Sequence, residues 1–344
     1  MRIALAIVLA VTSTGCPFGD DDGDPGNWVV IDQMEAAYRT AYCTYLVRCG
    51  QFPDQATCEG AAIPLAMQVD PNIVAAANAG RVSYSGSSVK ACFAALANNT
   101  CDRTDQNGRM RVAACEGFFR GTRMSNQPCF VDQECISQNC VGGSTGTTCS
   151  MGQCVGDIAP TVSPANVGEP CSGLFGCVDG AFCDTSLDIC TALKPAGQTC
   201  ISADECAYGL GCSGTTGART CKALPTVGQP CPEALCRDDG NVCTGAVCVQ
   251  VGLPPTACTS STQCSSFYPC DFTTSMCKQG PALGQPCSST NRCFAAGTFC
   301  DTTTTLTCVA VRAEGMPCTA DMQCQSGHCD FAIGLCQAPV TCTF

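Results

Sequence analysis

The sequence predicts a small disulfide-rich protein: tandem two-disulfide modules with little regular structure, preceded by a disulfide-stapled all-α domain. Three observations carry this expectation. Of 344 residues, 37 are cysteine, a share that marks a disulfide scaffold. From Cys129 onward the cysteines recur at nearly constant spacing. The 45% hydrophobic fraction counts cysteine, and the remainder is rich in alanine, too thin for one core spanning this length.

Residues 1–15 read as a signal peptide. Arg2 supplies the basic start, and Ile3 to Val11 is an apolar run. As helix it spans ~14 Å, about half the hydrocarbon core of a bilayer, so it is too short to cross. The run ends in Ser13-Thr14-Gly15-Cys16, which resembles the lipobox of bacterial lipoproteins. That resemblance implies cleavage before Cys16 and lipid attachment to it. Ser13 stands where those proteins usually carry leucine, and secretion without lipid is the alternative. With Cys16 lipidated, 36 cysteines remain, an even number that can pair completely. A reducing cytosol would leave the thiols free and the chain without a fold.

Residues 16–27 form an acidic Gly/Pro tether. Asp20, Asp22 and Asp24 do not make an EF-hand, because Pro25 and Ile31 stand where its glycine and glutamate belong. Pro17 replaces the aspartate that retains some lipoproteins at the inner membrane. The expected location is the outer membrane, with outer-membrane lipid as the anchor's partner; the acidic run resembles the surface-export tethers of certain bacteria, a resemblance that implies surface exposure.

Residues 28–123 read as the helical domain. Ile31, Met34, Tyr38, Ala41, Tyr42, Tyr45, Leu46 and Cys49 fall on one helical face. Asp32 and Glu35 offer a capping-box start to this helix. Asp70-Pro71 begins a second helix that stops at Gly80. Ser87 or Ser88 begins a third, through Leu96, and a short fourth is expected around 112–119. Cys43, Cys49, Cys58, Cys92, Cys101 and Cys115 supply three staples, each worth ~2–4 kcal/mol to a thin core. Tyr38, Tyr42 and Tyr45 read as core packing, with a ligand platform as the alternative.

Residues 124–344 hold seven modules, at about 124–160, 167–194, 195–224, 225–250, 251–280, 281–312 and 313–344. They open at Cys129, Cys171, Cys200, Cys231, Cys258, Cys287 and Cys318. The second cysteines are Cys135, Cys177, Cys206, Cys236, Cys264, Cys293 and Cys324. The third are Cys140, Cys183, Cys212, Cys243, Cys270, Cys300 and Cys329. The fourth are Cys154 (or Cys149), Cys190, Cys221, Cys248, Cys277, Cys308 and Cys336. The extra cysteine of the first module and Cys342 are surplus. Spacing does not choose among the three pairings that four cysteines allow. The pairing expected is first to third and second to fourth.

Each opening cysteine follows a turn signal. Gly168-Glu169-Pro170, Gly228-Gln229-Pro230, Gly284-Gln285-Pro286 and Gly315-Met316-Pro317 share it; Gly197 keeps the glycine and Asn126 replaces it. Glycine and asparagine enter positive φ most cheaply, so a sharp turn is expected, followed by an extended entry set by proline. The fifth module breaks the pattern with Pro255. Asp184, Asp271, Asp301 and Asp330 follow third cysteines, and they read as Asx-turns in a two-stranded ribbon, with calcium ligation as the alternative. Short Pro-containing linkers such as 222–226 predict an extended, semi-rigid array of independent modules.

On the G-x-P-C, C-x5-C and C-D signatures just given, residues 124–344 resemble the Dickkopf N-terminal cysteine-rich region and the tandem Cys-rich lipoproteins of myxobacteria. In the latter a helical Cys-containing region often precedes the repeats. The resemblance implies an architecture and carries over no receptor binding.

The function classes narrow by elimination. A net charge of −12, with 17 basic against 29 acidic residues, argues against nucleic acid as partner. His328 is the one histidine and reads as a module-surface residue; no serine-hydrolase elbow, phosphate loop or zinc-protease motif occurs, so no catalytic residue is expected. No C-x2-C pair exists, which argues against a metal, an iron–sulfur cofactor or a thioredoxin-like site. The expectation is a non-enzymatic binding, adhesion or structural protein of the cell envelope that needs no cofactor, engaging a protein or polysaccharide. An extracellular protease inhibitor is the alternative.

Overall fold

The computed structural model describes residues 28–63, 69–102, 115, 118–144, 149–157, 165–171, 177–215, 217–232, 235–288, 291–338 and 340–342. Cys16, the signal segment and the tether lie outside the described residues.

Helix α1 spans Met34–Arg48 behind a 3-10 turn, Ile31–Gln33. Asp32 therefore does not cap it. The Gln33 amide already donates to the Val30 carbonyl at 2.9 Å, so helical geometry starts upstream and residue 32 sits inside it. Helix α2, Gln55–Glu59, is capped by Asp54, which accepts from the Thr57 amide at 2.8 Å. Five residues are too few for a periodic signal, and the sequence reading missed it. Helix α3 spans Pro71–Asn78, with Asp70 accepting from the Asn72 amide at 2.8 Å and Gly80 in the left-handed region at φ 72°. Strand β1, Val82–Tyr84, precedes helix α4, Gly86–Ala97, whose cap is Ser85 rather than Ser87 or Ser88. Strand β2, Phe119–Gly121, pairs antiparallel with β1. The helix expected around 112–119 falls largely outside the described residues. Its last position, Phe119, is strand, because pairing with Tyr84 holds the chain alongside β1.

Tyr38 and Tyr45 are buried, and the Tyr38–Tyr42 and Tyr42–Tyr45 rings stack at 5.9 and 6.2 Å. Phe93 of α4 meets Tyr38 edge-on at 5.7 Å. Tyr38 thus packs α1 against α4, while Tyr45 belongs to the core that α1 shares with Phe52 and Tyr268. Three bridges staple this segment: Cys43–Cys58, Cys49–Cys101 and Cys92–Cys115.

All seven modules repeat one design. The first cysteine joins the third and the second joins the fourth, from Cys129–Cys140 and Cys135–Cys154 through Cys318–Cys329 and Cys324–Cys336. The third and fourth cysteines face each other across an antiparallel ribbon, as in Cys183↔Cys190 and Cys270↔Cys277, so the two bridges leave the ribbon side by side. The sulfurs fill the place of an apolar core. In every module but the fifth the turn before the first cysteine has positive φ, 65° at Asn126 and 90° at Gly168. There the amide of residue 168 donates to the Cys190 carbonyl at 2.7 Å, and the same contact recurs at Gly228, Gly284 and Gly315.

Modules one, three, five and seven share a second device. A 3-10 turn ends at Glu134, Glu205, Gln263 or Gln323, immediately before the second cysteine. The side chain of each accepts the amide of the residue after the first cysteine: Phe130, Ile201, Thr259 and Thr319. This closes the inter-cysteine loop with one polar side chain.

The array is not an extended rod. It folds back on the helical segment, which serves as its hub. Arg81 makes a buried ion pair with Glu134 of the first module at 3.1 Å. Gln51 is buried and donates to the Asp239 carbonyl of the fourth module at 2.9 Å, while its side-chain oxygen accepts from Ser265 of the fifth at 2.8 Å. Gly240 passes so close to the hub that a Cβ there would lie 1.9 Å from the Cys49 carbonyl oxygen. Phe52 packs on Phe267, Tyr268 and Phe294, and the four cysteines of the fifth module share one core with Cys43, Cys49 and Cys58. Ala62 and Ala296 complete backbone bonds to Phe294 and Gly60. Finally, Cys149 of the first module is bonded to Cys342, near the end of the seventh. The two surplus cysteines therefore close the array into a loop around its hub.

Candidate interaction surface

Because the bridges make the core, a module can place its remaining apolar residues in solvent. Leu187, Phe272, Leu306 and Phe331 stand at ribbon turns with about three-fifths or more of their surface exposed (62, 66, 59 and 68%). Val167, Val227 and Leu283 precede the turn glycines of the second, fourth and sixth modules and are also exposed. Ile201 follows the first cysteine of the third module, 82% exposed. Scattered single hydrophobics are ordinary on protein surfaces. Here two sets recur at equivalent positions of a repeated scaffold: Phe272 and Phe331 each follow the aspartate after a third cysteine, and Val167, Val227 and Leu283 each precede a turn glycine.

The aspartates after the third cysteines shape these turns. Asp184 accepts from the Ser186 amide at 2.9 Å, Asp271 from Thr273 at 2.9 Å, Asp301 from Thr303 at 3.1 Å and Asp330 from Ala332 at 2.9 Å. Each is an Asx-turn. The Thr273 amide, and then Lys278, hold the Asp271 carboxyl down at about 2, and the hydroxyls of Thr304 and Thr303 hold Asp301 well below the usual range. The unfolded value is about 3.9. A carboxyl lower in the fold than unfolded stabilises the turn above about pH 4 and loses that contribution as pH falls toward 2. The Asp271 carboxyl should titrate near 2 by NMR, with Thr273 amide protection lost over the same range. A midpoint near 4 would contradict the turn geometry.

His328 lies half-buried in the Ser326-Gly327-His328 turn, where its amide donates to the Ser326 hydroxyl at 3.3 Å. In the modules opening at Cys129, Cys171, Cys200, Cys231 and Cys258, three sulfurs lie within 4.8 Å of one another. They are members of stacked bridges, so they are not thiolates that could hold a metal. Among the described residues a shallow cleft, open to solvent, is lined by Glu314, Gly315, Leu335 and Gln337. No helix among the described residues is long and apolar enough to cross a membrane.

No family model matches the chain, and no solved structure matches it. Over 183 residues, 48% of this chain, it is 27% identical to a protein of Heterostelium pallidum named cell-cell adhesion glycoprotein 64. The match covers 56% of that protein, so the chain spans about half the length of this relative. What the fold shows by itself is a cysteine-rich chain of tandem modules held by many disulfides, which requires an oxidising compartment. The sequence reading missed two signals of the site. The Glu or Gln before alternate second cysteines was visible as a residue pattern. The docking contacts of Phe52, Phe267 and Phe294 follow no period that a linear pattern could reveal.

Proposed function

We propose that this chain is a non-enzymatic adhesion or structural protein displayed at the cell surface, held there by lipid on Cys16. The observation that carries the reading is the repeated module: a disulfide core with exposed apolar residues at equivalent turns, in a chain similar to a protein named for cell-cell adhesion. A relay of catalytic groups in a closed pocket is not what this scaffold is built to hold. The modules are instead rigid and already ordered, which lowers the entropy lost when a partner binds. The partner belongs to the protein or polysaccharide class. The lipobox-like Thr14-Gly15-Cys16 supports the anchor, and the likeness to myxobacterial Cys-rich lipoproteins and the Dickkopf N-terminal region supports the same architecture.

The test is made on intact cells. Protease added outside should remove the protein, and surface crosslinking beforehand should capture it with a neighbour from the envelope or an adjoining cell. Cys16→Ser should move it from the membrane fraction into the soluble one. Protection from external protease would overturn surface display, and unchanged membrane association of Cys16→Ser would overturn lipidation.

A further inference from the structure

We propose that the Cys149–Cys342 bridge is a thiol-exchange site, a clasp that a dithiol opens while every module stays closed. The bridge differs from the others in place and surroundings. It joins the first module to the end of the seventh, whereas all fourteen module bridges close locally. Cys149 is the one exposed cysteine among the described residues. Exchange begins with a thiolate reaching a disulfide sulfur, so access sets the rate. The module bridges are stacked in pairs and mostly buried, and each is the core of its own unit. Reducing one of them requires opening that unit first. Reducing Cys149–Cys342 breaks no module core.

The leaving side is also prepared. The Ser144 hydroxyl lies 3.3 Å from the Cys342 sulfur. Its one proton, which also reaches the Ser150 carbonyl at 3.3 Å, can turn to the thiolate that develops there, and a stabilised leaving thiolate departs faster. A dithiol, as thiolate, attacks Cys149 Sγ; the S–S bond breaks and its electron pair goes to Cys342 Sγ, which then takes a proton from water. The second thiol of the reagent displaces Cys149 from the mixed disulfide. Two thiols remain on the protein, and the reagent leaves as a cyclic disulfide. Opening also unmoors the Cys342 amide, which donates to the buried Asn72 side-chain oxygen at 2.7 Å. The seventh module then pivots on the sixth, whose Arg312 still holds it, its guanidinium donating to the Pro317 carbonyl and its amide to the Gln323 carbonyl.

The experiment treats the native, oxidised protein with limiting dithiothreitol and traps thiols by alkylation at successive times. Cys149 and Cys342 should be labelled about tenfold sooner than any other cysteine. In Ser144→Ala this first phase should slow several-fold, with later phases unchanged. Hydrogen exchange at the Cys342 amide should rise after the first phase alone. Labelling of a module cysteine first, or of all cysteines together, overturns the proposal. An unchanged first phase in Ser144→Ala overturns the part assigned to that hydroxyl.

Discussion

Phe52→Ala should release the fifth and sixth modules from the hub. The ring is 1% exposed and stands at the centre of an aromatic cluster, 4.7 Å from Phe267, 5.5 Å from Tyr268 and 6.4 Å from Phe294. Truncating a buried phenylalanine costs about 3–5 kcal/mol, by lost transfer energy and by the cavity left behind. The loss should appear in the docking, because the module bridges hold their own units closed without it. Denaturant unfolding of the variant should therefore show the hub separating earlier, with the disulfide set unchanged. Small-angle scattering should report a larger radius of gyration under native conditions. A variant with wild-type unfolding and dimensions would mean that the cluster does not hold the array.

Glu134→Leu should be comparably damaging at the other end of the array. Glu134 is fully buried and faces Arg81 at 3.1 Å, with Arg81 almost as enclosed. Removing one member of a buried pair strands the other charge, at about 3–5 kcal/mol. The same carboxylate accepts the Phe130 amide, so the loop between Cys129 and Cys135 loses its closure as well. The double variant Arg81→Met/Glu134→Leu should recover much of the loss by replacing the pair with apolar packing. Equal stability of the single variant and wild type, measured by denaturant unfolding, would contradict this account of the interface.

The module was legible in the sequence because its determinants are local. A glycine at residue 168 that needs positive φ, a proline that extends the entry and an aspartate that folds its own turn all act within a few residues. Spacing alone left the pairing open. The structure joins first to third and second to fourth, and it places the third and fourth cysteines opposite each other. The hub was not legible, for a physical reason. Docking rests on a few residues far apart in sequence, such as Gln51 with Asp239 and Ser265, or Ala61 with Ala295. Short Pro-containing linkers constrain each step between modules and say nothing about the sum of seven steps. The surplus of Cys342 and of one first-module cysteine, Cys149 or Cys154, was visible, and the pairing of Cys149 with Cys342 is the long-range fact that parity could not supply.

The central claim is a closed array of disulfide modules wrapped on a helical hub. A disulfide map of the protein purified from its own cells, digested without reduction, tests it most directly. The account predicts first-to-third and second-to-fourth bridges in all seven modules, three bridges within the helical segment, and a crosslinked peptide pair joining Cys149 to Cys342. Cys149 and Cys342 found bonded to other cysteines, or recovered as free thiols from untreated protein, would contradict the closed array.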